Sequence, residues 1–325
     1  MRLITAMAVA SSLIMACALA QAAPDSQNAE FLAAKAWLIS TPPPWKPLAY
    51  EPKPDEPLHI PGSKVTYTLS QWSLANLPDW FPQEHPPMPE IVARGHKPAW
   101  PCAACHRPGG EGEPSSASLA GLPKAYILEQ LETFRTGTRN WSPWEPDMEM
   151  NVEARNTSDA DLQQAATYFS SLEFTPRTRV VETTMVPKTR WYHYIQVPDA
   201  DGAREPIGER IIETPEDIWL FRIMDAHSRF IAYVPPGSIA RGKALAAKGN
   251  GTVPACESYH GAGLHGVGNI PRLAGISPTY IVRQLILFRL GGRTNPEAAP
   301  MRAVASQLSL NDMINAAAYA TSIKH

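Results

Sequence analysis

Apolar side chains recur at helical spacing in two widely separated stretches, Ile127, Leu131 and Phe134 in one and Ile281, Leu285 and Phe288 in the other. Each predicts an amphipathic helix. A second helical face follows each of them: Leu162, Ala165, Ala166 and Phe169 after Ser158-Asp159, and Met313, Ala316, Ala317 and Ala320 after Ser309. Short helices are expected ahead of both halves, over Glu90 to Arg94 and over Ser238 to Lys248, with Ser238 as N-cap. Ala29 to Ile39 has helix-forming composition, with Phe31, Leu32, Trp37 and Leu38 as its large apolar side chains, and is expected to pack on a domain surface. Between the halves the pattern changes. Thr189 to Val197 and Phe230 to Val234 are β-branched and aromatic, and Asp199 to Glu205 reads as a turn, which predicts short strands packed across both halves. Lys64 to Leu69 alternates like a strand. The chain holds 33 prolines, recurring from Thr41 to Pro61 and again from Asn76 to Pro89, so this region is expected to be an extended arm over the first helical half.

The two halves are copies. One offset of 154 positions carries Cys102 onto Cys256, His106 onto His260, Leu119-Ala120-Gly121 onto Leu273-Ala274-Gly275, Tyr126 onto Tyr280, Gln130-Leu131 onto Gln284-Leu285, Phe134 onto Phe288, Gly137 onto Gly291 and Arg139 onto Arg293. Farther on, an offset of 151 carries Ala165-Ala166-Thr167-Tyr168 onto Ala316-Ala317-Ala318-Tyr319, so the first copy holds three extra residues within Trp141 to Met148. The expected division is a leader over 1–22, a proline-rich arm over 23–89, a first module over 90–175, an inter-module segment over 176–237 and a second module over 238–325.

The chemistry-bearing stretch of the first copy is Cys102-Ala-Ala-Cys105-His106. C-x-x-C-H reads as attachment of a c-type haem: both thiols add to porphyrin vinyls and the adjacent histidine ligates iron. A structural zinc site would need further ligands at defined spacing, and no second C-x-x-C exists; a thioredoxin-like dithiol would need a βαβ context, which is missing. The second copy reads Cys256-Glu257-Ser258-Tyr259-His260, with tyrosine in place of the second thiol. It predicts a haem held by one thioether and His260, with an empty second module as the rival reading. Tyr259 is set aside as a ligand because its neighbour His260 already serves. Aligning the closing helices lays Met301 on Met150, and these are the expected sixth ligands, with Met148 as the local rival of Met150. Methionine more often fills gaps in a core, but here both copies carry one in the same place. Arg139 and Arg293 suit haem propionates, since a guanidinium fork matches a carboxylate. Tyr126 and Tyr280, like Gln130, read either as hydrogen-bonding neighbours of the haem or as helix-face packing. Gly121 and Gly275 read as tight turns beside it. His193 and His227 read as surface or interdomain residues.

The chain opens on Arg2, the apolar run Leu3 to Leu19 and small residues about Ala18 to Ala22, the pattern of a cleaved export signal. A lipidation box at Cys17 is the lesser alternative. Three cysteines would then remain, an awkward number for a disulfide framework but a natural one for two haems. With 29 basic against 31 acidic residues there is no excess to bind nucleic acid.

Together these modules resemble the two-domain, dihaem class I cytochromes c of bacterial periplasms, over Glu90 to Leu172 and Ser238 to Ile323. The resemblance implies a mainly α fold of two tandem class I cytochrome c modules and a periplasmic protein that carries electrons between redox protein partners through haem c. It implies no small-molecule substrate and no enzyme. Two alternatives stand beside it: a dihaem peroxidase-like enzyme, and a docking subunit whose second module has lost its haem.

Overall fold

The computed structural model describes residues 25–39, 53–73, 76–142, 144 and 149–324. The predicted leader with Cys17, the proline-rich stretch 40–52 and Met148 lie outside the described residues. Helices α1 (Asp25–Ala33) and α2 (Lys35–Leu38) come first. The first repeat unit follows with α3 (Glu90–Ala93), α4 (Ala103–His106), α5 (Lys124–Arg135), α6 (Met150–Asn156) and α7 (Asp159–Ser170). The inter-unit segment holds seven short strands, β1 (Thr178–Glu182) through β6 (Ile212–Pro215), then α8 (Ile218–Arg222) and β7 (Phe230–Val234). The second unit runs α9 (Ser238–Lys248), α10 (Glu257–His260), α11 (Pro278–Arg289), α12 (Ala299–Gln307) and α13 (Leu310–Ser322).

Local chemistry fixes the matched helices. Ser158 Oγ accepts from Asp161 N at 3.2 Å and Ser309 Oγ from Asp312 N at 3.0 Å, so each closing helix starts where its cap predicts. The short loops return to the same places. Gly121 N donates to Phe169 O at 2.9 Å and Gly275 N to Ala320 O at 2.9 Å, with φ of 64° and 74° at the two glycines. Ser238 is not an N-cap: Gly237, at φ 78°, takes that position, and Ser238 is the first helical residue. The predicted strand over Lys64 to Leu69 reduces to one pairing of Tyr67 with Leu58, followed by a 3-10 turn.

Strands β1, β7 and β6 form a sheet in that order, parallel then antiparallel, and β1 packs on α13. Thr189 to Val197, where short strands are expected, folds into the hairpin β3 (Thr189–Tyr192) and β4 (Ile195–Pro198), turning at His193 with φ 51°. On β6, buried Glu213 accepts from Ser277 Oγ at 2.7 Å and from Thr279 Oγ1 at 2.5 Å, and so grips the start of α11, where the helix dipole favours negative charge.

The arm does not simply lie over the first unit. Phe31, Trp37 and Leu38 of α1 and α2 are buried in the core of the second unit, and Arg289 stacks over the Phe31 ring at 4.1 Å. The later arm packs Leu58, Ile60, Trp80 and Phe81 against Ile223 of the inter-unit segment, with Trp80 Nε1 donating to Ile223 O at 2.7 Å. Among the described apolar residues of this later arm, Leu77 and Met88 pack against the core of the first unit. Amphipathicity shows that a face must be covered, and two similar cores compete to cover it.

Candidate haem site

The two units face each other about a pseudo-twofold axis. Asn140 N donates to Gly292 O at 2.7 Å and Thr294 N donates to Thr138 O at 2.7 Å, while the Arg139 and Arg293 backbones pair between them. These are the same bonds read in the two directions. Across this seam runs a continuous cavity of about 530 Å³, walled by Ile127, Leu131 and Phe134 of α5 and by Ile281, Leu285 and Phe288 of α11. Close-packed helical cores leave few voids larger than a water molecule, so a cavity this size is built for an apolar occupant.

Eleven of the residues singled out by the sequence line this cavity, Cys102, Cys105, His106, Tyr126, Arg139, Met150, Cys256, Tyr280, His260, Arg293 and Met301, as does Gln130; Gly121 and Gly275 are not in its lining. Both histidines are buried and held alike. His106 Nδ1 lies 2.8 Å from Ala117 O, and His260 Nδ1 lies 2.9 Å from Pro271 O, eleven residues on in each case. A backbone carbonyl only accepts, so Nδ1 carries the proton and Nε2 keeps its lone pair. Burial lowers both pKa values, favouring the neutral ring a metal requires. Burial pushes the Cys102 thiol up to about 12, while Cys105 beside it is exposed. A thiol that stays protonated is a poor nucleophile, which speaks against Cys102 as half of a dithiol catalyst.

Met150 and Met301 sit in the first turns of α6 and α12, helices that sequence periodicity did not reveal. Each of these helices is tied at both ends. The residue after each methionine binds the carbonyl of the nearby arginine: Asn151 Nδ2 donates to Arg139 O at 2.7 Å, and Arg302 Nη1 donates to Arg293 O at 3.1 Å. At the far end, Arg135 donates to Ala154 O and Thr157 O, and Arg289 to Ala305 O and Leu308 O, closing carbonyls the helix leaves open. The signal for these braces was available, since Arg135 and Arg289 share the 154-residue offset.

The predicted propionate partners have a more specific setting than the sequence suggested. Arg139 Nη2 crosses to Gln284 Oε1 at 2.8 Å and to the Tyr280 hydroxyl at 3.3 Å; Arg293 Nη2 crosses to Gln130 Oε1 at 2.7 Å, and Tyr126 also bonds Arg293. A third guanidinium, Arg283, escaped sequence reading. Its Nη2 donates to Ser115 O of the first unit at 2.5 Å. All three arginines are at most 6% exposed, each Nε lacks a partner, and among the described residues their acceptors are amide, phenol and backbone oxygens, with no carboxylate. Buried cations without counter-charge are costly. The cavity is therefore apolar in its walls, cationic at its seam, and supplied with paired thiol, imidazole and thioether groups, a set that fits haem with its propionates turned to the seam.

The sequence profile of the cytochrome c family matches residues 92–173. The first unit is a cytochrome c domain. Over 70% of its length the chain is similar to cytochrome c4 of Azotobacter vinelandii, 29% identical and covering 87% of that protein. It is also similar to a thiosulfate dehydrogenase electron acceptor of Thiomonas intermedia (strain K12), 28% identical over 64% of this chain and 71% of the relative. A solved thiosulfate dehydrogenase, TsdBA, from Marichromatium purpuratum superposes with a TM-score of 0.47 at 26% identity, covering 69% of this chain and 36% of that one. This chain carries a c-type cytochrome domain. Among its described residues no helix is long and apolar enough to cross a membrane.

Proposed function

We propose that this cytochrome is a periplasmic dihaem electron carrier that passes single electrons between redox protein partners. In the first unit, Cys102 and Cys105 would attach the haem and His106 Nε2 and Met150 would ligate its iron. In the second, Cys256 alone would attach it, between His260 and Met301. Haem supplies the one-electron iron couple when bound. The residues would do the rest: the carbonyl clamps on Nδ1 leave each Nε2 lone pair for iron, the braced helices hold Met150 and Met301 as its further ligands, and the seam arginines would neutralise propionates. The observation that carries this reading is the matched pair of histidine clamps opening on one cavity with three buried arginines whose Nε atoms lack partners among the described residues.

Intact mass of the denatured protein, expressed with haem-attachment machinery, together with a pyridine haemochrome count, tests it. Two covalent haems per chain are expected. A single haem would sink the dihaem reading and favour a docking subunit with a vestigial second unit. Peroxide turnover or a high-spin iron signal would instead favour a peroxidase-like enzyme.

A further inference from the structure

The 154-residue offset lays Arg283 of α11 on Glu129 of α5, so two matched, cavity-lining positions carry opposite charges in the two copies. Arg283 is 3% exposed. It belongs to the second unit but reaches the first, where its Nη2 bonds Ser115 O. Ser115 opens the Ser115-Ser116-Ala117 run whose last carbonyl clamps His106. The Arg283 Nε has no partner, and its guanidinium lies 5.4 Å from the Tyr280 ring and 6.0 Å from the Trp141 ring; the charges of Glu113 and Glu213 act on it, but among the described residues no carboxylate is hydrogen-bonded to it. Glu129 is half-buried, and its Oε1 accepts from Gln130 Nε2 at 2.9 Å.

We infer that Arg283 is a positioning residue that acts across the seam to raise the reduction potential of the first unit's haem, while Glu129 at the matching position lowers that of the second. Reduction adds one electron to a haem, and a fixed buried cation beside it stabilises that added charge, an effect magnified in a low dielectric. The pair thus breaks the symmetry of two otherwise matched sites, and an electron shared between them rests in the first unit. The inference builds on the proposed haem sites, but for Arg283 it needs only the first.

Spectroelectrochemical titration of the holoprotein decides it, with haem content counted for each variant. The two haems are separable because a single thioether leaves one vinyl conjugated and shifts the absorption band. R283Q should lower the first haem's midpoint, cutting electron occupancy there about tenfold, or about 59 mV for a one-electron couple. R283K should keep it near the wild-type value, and E129Q should narrow the gap by raising the second haem. An unmoved first midpoint in R283Q, or a fall in R283K as large as in R283Q, overturns the inference. Should R283Q fail to load haem, R283K and E129Q still decide: a shifted midpoint in R283K with an unchanged gap in E129Q rejects it. One haem per chain would end the dihaem proposal, yet leave the Arg283 shift measurable on that haem.

Discussion

The two repeat units hold the same kind of site by different means. The first offers two thiols but little scaffold: its leading helix α3 has four residues, and α5 starts at Pro123 with no side-chain cap. The second offers one thiol within a heavier frame. Its leading helix α9 has eleven residues and lies so close to α13 that Gly242 has room for no side chain against the Asn315 backbone. Phe31 and Trp37 enter its core from the arm, and Glu213 grips the capped start of α11. Where a covalent tether is missing, burial and capping fix the unit instead.

The comparison breaks if the arm contributes nothing specific to the second unit. Phe31 is completely buried, and truncating a buried aromatic costs about 3–5 kcal/mol through lost transfer energy and the cavity left behind. F31A should therefore lower the melting of the second unit and spare the first. Calorimetry followed in parallel with each haem's absorption band would show it. Equal losses in both units would mean that the seam, and not the local frame, sets their stability.

The repeat made the attachment loops, the histidines, the methionines and the two matched helix pairs legible, because each recurs as a residue type at one offset. Arg283 was hidden by the same method, since a search for matches passes over the position where one copy has arginine and the other glutamate. The α6 and α12 helices were hidden because they are short and are fixed by Asn151, Arg302, Arg135 and Arg289 more than by an apolar face. The docking of α1 and α2 is a long-range choice between two similar cores, which spacing alone does not encode. The hairpin at His193 turns without glycine or proline, so the composition of Thr189 to Val197 pointed to short strands without marking the turn between them.

A smaller effect sharpens the same contrast. Y259C rebuilds C-x-x-C-H in the second unit at the cost of a side chain that is already 45% exposed. It should give a second thioether there, with the pyridine haemochrome band moving to that of a doubly attached haem. The accompanying gain in thermal stability should be smaller than the F31A loss, because packing already holds the unit. A band that stays at the singly attached position would show that the Glu257-Ser258 geometry keeps position 259 from the vinyl group.

The smallest effect concerns how each unit holds the arm. Near the first unit the hold includes a titrating pair. His85 Nε2 lies 3.2 Å from Asp79 Oδ1, and its ring stands edge-on to Tyr168, whose hydroxyl donates to Pro108 O beside the first attachment loop. The bond to Asp79 is the main cause that raises the His85 pKa above 6.5, with Pro86 O and the charges of Asp79 and Glu111 acting in the same sense and burial opposing them. Protonated His85 is favoured in the folded state, so the contribution is complete below pH 6.5 and is lost as pH rises through the raised folded value. The seat of Phe31, Trp37 and Leu38 in the second unit is apolar apart from Arg289 over the Phe31 ring, and the histidine–carboxylate pairs found among the described residues lie elsewhere. Hydrogen exchange corrected for intrinsic rates should therefore show residues 76–89 losing protection as pH rises above 6.5, while α1 and α2 keep theirs. H85Q should flatten that slope without disturbing either haem, because His85 braces the arm and not the cavity. A slope that survives H85Q would move the pH dependence to another group and leave the two holds on the arm alike in kind.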